Sequence, residues 1–163
     1  MREDAPALLL ALEQSAYGEA VRQSVWLYPA ANVGHVLALA AFAGAVAIMD
    51  ARLLGAFAAT PPAAVLRPTR RVALAAFALL AASGAALFIA EASHVAQNPV
   101  LWIKACLIGL GLANAAAVGV FGETAIADCP PHRPLPLALR AAALLSLALW
   151  LAVAACGRLI AYF

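Results

Sequence analysis

Four stretches of the chain read as nearly uninterrupted apolar runs, residues 26–49, 72–92, 101–121 and 137–157. Apolar side chains occupy every position around the helical repeat in each of them. None shows the polar stripe that a water-facing helix requires. At about 1.5 Å of rise per residue, roughly 20 such residues cover the ~30 Å hydrocarbon core of a bilayer. Lipid offers no hydrogen bonds to a backbone, so each run must satisfy its own as a helix. The pattern therefore predicts an all-α protein, a four-helix transmembrane bundle, organised as a single integral membrane domain over residues 1–163.

The segment ahead of the first run behaves differently. Over residues 6–24, Leu8, Leu9, Leu12, Ala16 and Ala20 fall near one helical face, with Glu13, Gln14, Glu19, Arg22 and Gln23 elsewhere. That arrangement predicts an amphipathic helix lying in the membrane interface. Trp26, Tyr28 and Pro29 follow it as aromatic anchors and a helix-starting proline. The opening Met1-Arg2-Glu3-Asp4 carries two acids where a secretory signal has a basic region, so no cleaved signal peptide is expected.

Charge sets the expected orientation. The first connection, residues 50–71, holds Arg52, Arg67, Arg70 and Arg71 with Pro61, Pro62 and Pro68 among them, whereas residues 91–99 contain no Lys or Arg. The third connection adds Arg133, with Arg140 just inside the fourth run. The positive-inside rule then places the first and third connections in the cytoplasm and both termini on the other side.

Composition agrees, with 66% hydrophobic and 11% charged residues against about 25% charged in an average soluble domain. The net charge of +2 does not point to nucleic acid, because the arginines gather at helix ends and form no basic face. Three cysteines, Cys106, Cys129 and Cys156, are too scattered for a disulfide framework and read as small apolar packing residues. Ala40 with Gly44, Gly109 with Ala113 and Ala115 with Gly119 lie four apart, a spacing that permits close helix approach.

Polar residues inside the runs carry the functional signal, since each is costly in a bilayer. Tyr28, Asn32 and His35 share one face of the first run, and His35 lies about 13 Å below the start at Trp26. His35 reads either as a packing residue bonded to a neighbouring helix or as a ligand or proton-handling group. Glu91 and His94 are i, i+3 neighbours at the same end of the bundle, and Lys104 begins the third run close by. They read as a linked polar cluster, or as groups reaching into headgroups with a Glu91–Lys104 ion pair among them. Asn114 reads as an interhelical hydrogen-bonding residue, and Asp50 and Arg52 as residues at the cytoplasmic end of the first run, close enough to interact or to cap. Cys129 and His132 offer two soft ligands without the second pair a tetrahedral site needs. Phosphate-binding, dinucleotide-binding and serine-hydrolase signatures are absent. No CxxCH motif is present for covalent haem, and no catalytic residues are assigned.

The order Trp26-Leu27-Tyr28-Pro29, His35, Asp50-Ala51-Arg52-Leu53-Leu54-Gly55, Ser83-Gly84, Asn98-Pro99, Ile103-Lys104 and Asn114 resembles a family of small bacterial inner-membrane proteins of unknown function. That resemblance implies four spans in a bacterial inner membrane. More loosely, the bundle size and the first-span histidine look like copper-resistance D type domains and transmembrane b-type cytochromes, which implies haem b or a copper ion as cofactor. In such cytochromes histidines on facing helices clamp the iron, whereas here His94 is expected near the boundary and His35 well inside. The expectation from these readings is a non-enzymatic component binding a redox cofactor, metal or quinone-like ligand in a non-cytoplasmic polar layer of Tyr28, Asn32, His35 and His94. Its partners would be the lipid bilayer and a membrane or periplasmic redox protein, with an oligomer compatible. A structural or accessory subunit without cofactor is the second expectation, and a small transporter the third.

Overall fold

The computed structural model of the protein describes residues 6–160 and 162, so the Met1-Arg2-Glu3-Asp4 start lies outside the described residues. The chain folds as α1 (Ala7–Glu13), α2 (Ala16–Gln23), α3 (Leu27–Leu54), α4 (Pro62–Ala90), α5 (Ala92–Val95), α6 (Pro99–Phe121), α7 (Glu123–Ala127) and α8 (Leu137–Leu159). Helices α3, α4, α6 and α8 are each long and apolar enough to cross a membrane. Their surfaces carry widely exposed leucines, such as Leu37 at 65%, Leu74 at 64% and Leu151 at 70%. Such surface is compatible with lipid and not with water. The protein is a multi-pass integral membrane protein.

The N-terminal amphipathic segment is two helices and not one. Ser15 is extended and caps α2, its Oγ accepting from the Gly18 N–H at 3.1 Å and donating to the Leu12 carbonyl at 2.6 Å. The reversal requires glycine at 18, where a Cβ would lie 2.6 Å from the Glu13 carbonyl oxygen.

Two of the spans extend well past an end of their apolar runs. Helix α3 continues to Leu54, where Gly55 adopts φ 117° and the Ala56 N–H reaches back to the Ala51 carbonyl at 2.8 Å. That is a Schellman closure, which a left-handed glycine permits. Helix α4 begins at Pro62, ten residues before the apolar run, because proline fits the first helical turn. The first connection therefore shrinks to residues 55–61, and Arg67, Arg70 and Arg71 ride on α4.

Packing follows the order α4, α3, α8, α6: α3 lies along α4, and α3 and α6 each lie along α8. Helix α6 approaches α4 near the arginine-bearing end, where the Arg70 guanidinium lies 3.9 Å from a Cβ position on Gly119. Small side chains, Ala45, Ala73 and Ala76, let α3 and α4 close on each other. Phe42 of α3 meets Trp150 of α8 edge to face at 4.6 Å, with Phe77 of α4 5.7 Å from Phe42. The small-residue pairs at 40/44 and 109/113 are not the contacts: a Cβ on Gly44 or Gly109 would meet nothing within 4 Å. Close approach occurs at Gly111 against Trp150 and at Gly84 against His35.

Candidate functional site

Polar side chains gather at three levels. The first is a pocket of about 420 Å³ at the end that carries the termini, lined by Glu13, Arg22, Glu91, Ser93, His94 and Gln97. Glu13 is buried at 8% exposure. Its carboxylate accepts from the Ser93 N–H at 3.0 Å and from the Ser93 hydroxyl, and Arg22 approaches it at 3.5 Å. Arg22 also donates to the Ala90 carbonyl at 3.2 Å. The N-terminal helices are thus fastened onto the last turn of α4 and onto α5. Glu91 accepts a hydrogen bond from the Tyr28 hydroxyl at 3.3 Å.

The second level lies within the terminal half of the spans. His35 Nδ1 is 2.8 Å from Ser83 Oγ, and that hydroxyl donates to the Leu79 carbonyl at 2.6 Å. With the serine proton committed, the network assigns the ring proton to Nδ1. Nε2 is then the acceptor nitrogen, and it makes no hydrogen bond among the described residues. Gly84 lets the ring lie against α4, since a Cβ there would stand 3.3 Å from His35 Cε1. Across from it, Lys104 of α6 extends its ammonium toward α8, 3.4 Å from a Cβ position on Gly157, beside Cys156. Lys104 acts electrostatically on His35, and among the described residues no carboxylate pairs with it.

The third level lies in the arginine-bearing half. Asp50 of α3 is 4% exposed, and the Ser146 hydroxyl of α8, itself buried, acts on its carboxyl. Asn114 of α6 donates to the Ala142 carbonyl of α8 at 3.0 Å, one helical turn from Ser146. Arg52 is 2% exposed and donates to the Thr60 carbonyl at 2.9 Å. An Asp50–Arg52 pair is not formed, because residues two apart on a helix point to different sides.

The expected outer layer is divided between two levels. Tyr28, Glu91 and His94 belong to the terminal pocket and its rim, His35 and Lys104 to the deeper level, and Asn32 is exposed on α3. Glu91 bonds Tyr28, and no Glu91–Lys104 ion pair forms within 4 Å among the described residues. About 10 Å of α4 separates Ser83, the partner of His35, from the helix end beyond which His94 lies. Two histidines at such different depths do not fit a two-imidazole haem clamp. No group of three or more His, Cys, Asp and Glu residues comes together among the described residues, so the donors do not fit a copper cage either. Cys129 donates to the Pro130 and Arg133 carbonyls, closing its loop on itself.

Glu13, Ser93, Ser83, Asp50 and Ser146 are the polar residues whose partners sequence reading did not supply. Glu13 had one signal, an acid interrupting an apolar run. Serines give no such signal, because their hydroxyls are equally at home bonded to their own helix.

The model of a family of unknown function, DUF6644, matches residues 17–163. The chain belongs to that family. The match covers all four spans and nearly all of the second amphipathic helix, and Glu13 lies ahead of it. Comparison with curated proteins and with solved structures gives no match.

Proposed function

We propose that this DUF6644 protein is a membrane component that binds a small quinone-like ring ligand at the His35–Lys104 level. One observation carries the reading: His35 presents Nε2, which has no recorded hydrogen bond among the described residues, in the same low-dielectric layer as a Lys104 ammonium that no carboxylate among the described residues pairs. An unneutralised cation inside a bilayer is costly. A ligand bearing two oxygens relieves both deficits, one carbonyl accepting from Lys104 and a hydroxyl donating to Nε2. Such a ligand is apolar enough to arrive from the lipid, which suits a site inside the spans.

Titration of the purified protein with a short-chain hydroxyquinone, which carries both the carbonyl and the hydroxyl, followed by tryptophan fluorescence, tests this. His35→Ala and Lys104→Met should each weaken binding at least about tenfold, roughly 1.4 kcal/mol, while His94→Ala should leave it unchanged. Unaltered affinity in both variants would refute the site.

The orientation follows from charge: the proposal places the arginine-bearing end of the bundle in the cytoplasm and the terminal pocket outside, in a bacterial inner membrane. In a background lacking the native cysteines, an impermeant thiol reagent added outside should label a cysteine at exposed Gln97 and spare one at exposed Ala59. The opposite pattern would invert the assignment.

The accessory-subunit reading has its own support. Gly111 is the buried residue of α6 across its 23 positions, which leaves most of that helix for lipid or for another membrane helix.

A further inference from the structure

We infer that Asp50 is a reversible proton-binding site inside the membrane, with the Ser146 hydroxyl as its hydrogen-bonding partner. The site is independent of the ligand reading above and lies on the other side of the Phe42–Trp150–Phe77 aromatic cluster. Asp50 is eight residues from Phe42 along α3, about 12 Å. Its Oδ2 is buried with no hydrogen-bond partner among the described residues, and the residue as a whole is 4% exposed. A carboxylate there would hold its charge against a single hydroxyl. Addition of a proton removes that charge without requiring any new contact.

No neighbouring charge takes the proton's place. On α3 itself, Arg52 turns to the Thr60 carbonyl. On α4, Arg67 and Arg70 engage Glu123 of α7 at 3.1 and 3.6 Å, and Arg71 is exposed. On α8, Arg140 is exposed and Ser146 is the group that faces Asp50. A hard metal cation would need about six oxygen ligands, and the level offers a carboxyl and a hydroxyl.

The partner is suited to both states. A hydroxyl rotates between donor and acceptor, so Ser146 donates to the ionised carboxylate and accepts from the acid. A lysine or arginine partner, which can only donate, would favour the ionised state permanently. Asp50 stands four residues from the end of α3 at Leu54, about 6 Å, so the proton exchanges with water at the arginine-bearing end. The balance is simple: one proton enters from that aqueous phase onto a carboxylate oxygen and leaves by the same route.

Infrared spectroscopy of the full chain in phosphatidylglycerol–phosphatidylcholine vesicles tests the inference. Asp4→Asn and Asp128→Asn leave Asp50 as the remaining aspartate, and carbon-13 aspartate labelling then marks its bands without altering it. A protonated-carboxyl band should be present at about pH 5, above the ordinary aspartate value of about 3.9, and should shrink as the pH rises to about 9. Asp50→Asn should abolish it, and Ser146→Ala should move its midpoint at least about threefold in proton affinity. The inference is overturned if the labelled band is missing at pH 5, if it persists unchanged at pH 9, or if Ser146→Ala leaves the midpoint in place. The labelled arm decides the matter even where Asp50→Asn fails to fold.

Discussion

Glu13→Ala should lower the stability of the protein by about 2 to 4 kcal/mol and release α1 from the bundle. Two donors from Ser93 converge on this carboxylate, and Arg22 stands beside it at 3.5 Å. Its removal leaves the Ser93 N–H, at the start of α5, buried without an acceptor. A buried donor that loses its partner costs more than the bond contributed. The Arg22 guanidinium keeps its bonds to the Glu13 and Ala90 carbonyls, so α2 should remain attached while α1 detaches. Thermal melting in detergent, together with thiol labelling of a cysteine at position 93, reads both effects. Glu13→Gln should recover part of the loss, because an amide oxygen still accepts one Ser93 bond. A change below about 1 kcal/mol with position 93 still protected would show that apolar contacts of α1 hold it instead.

The same carboxylate shows where sequence reading stops. The apolar runs announced four spans because hydropathy acts on each segment by itself, and lipid enforces helices. The ends of those spans were harder. The extra turns of α3 and α4 are amphipathic or arginine-bearing, so hydropathy treats them as connection, while Gly55 and Pro62 set the actual boundaries. The break between α1 and α2 depends on a Ser15 cap and a Gly18 close approach that a helical wheel over residues 6–24 averages away.

Pairing between helices was the least legible. His35 stood out as an imidazole deep in a span, yet its attachment to Ser83 depends on how α3 is rotated against α4, and spacing within one helix leaves rotation open. Lys104 was expected to turn to Glu91, the nearest acid along the fold. In the structure it extends toward Gly157, where the missing Cβ leaves room for the lysine stem, and Tyr28 takes Glu91. Asp50 read as an end-of-helix residue because Arg52 follows it. The extension of α3 to Leu54 moves Asp50 a turn inside, and its register then aims it at α8.

Gly111→Leu should be the most damaging substitution within the spans, by about 3 kcal/mol or more. Even a Cβ at this position would stand 2.9 Å from Trp150 Cζ2 and 3.1 Å from Cε2. Trp150 is also in edge-to-face contact with Phe42 at 4.6 Å, so displacing its ring would disturb that contact. Either the ring or helix α6 has to move, and α8 is the span that α6 packs along. Helix propensity acts in the opposite direction, since replacing glycine by alanine gains up to about 1 kcal/mol in a helix interior. The two effects separate at neighbouring positions. Gly109→Ala, where a Cβ meets nothing within 4 Å, should be neutral or stabilising by up to about 1 kcal/mol. Gly111→Ala should instead lose about 1 to 2 kcal/mol, the overpacking cost exceeding the propensity gain. Trp150 fluorescence, measured with Trp26 and Trp102 replaced by phenylalanine, should shift in both Gly111 variants and stay unchanged in Gly109→Ala. Should Gly111→Ala stabilise the protein as Gly109→Ala does, the α6–α8 contact is not the one that holds the third span in place.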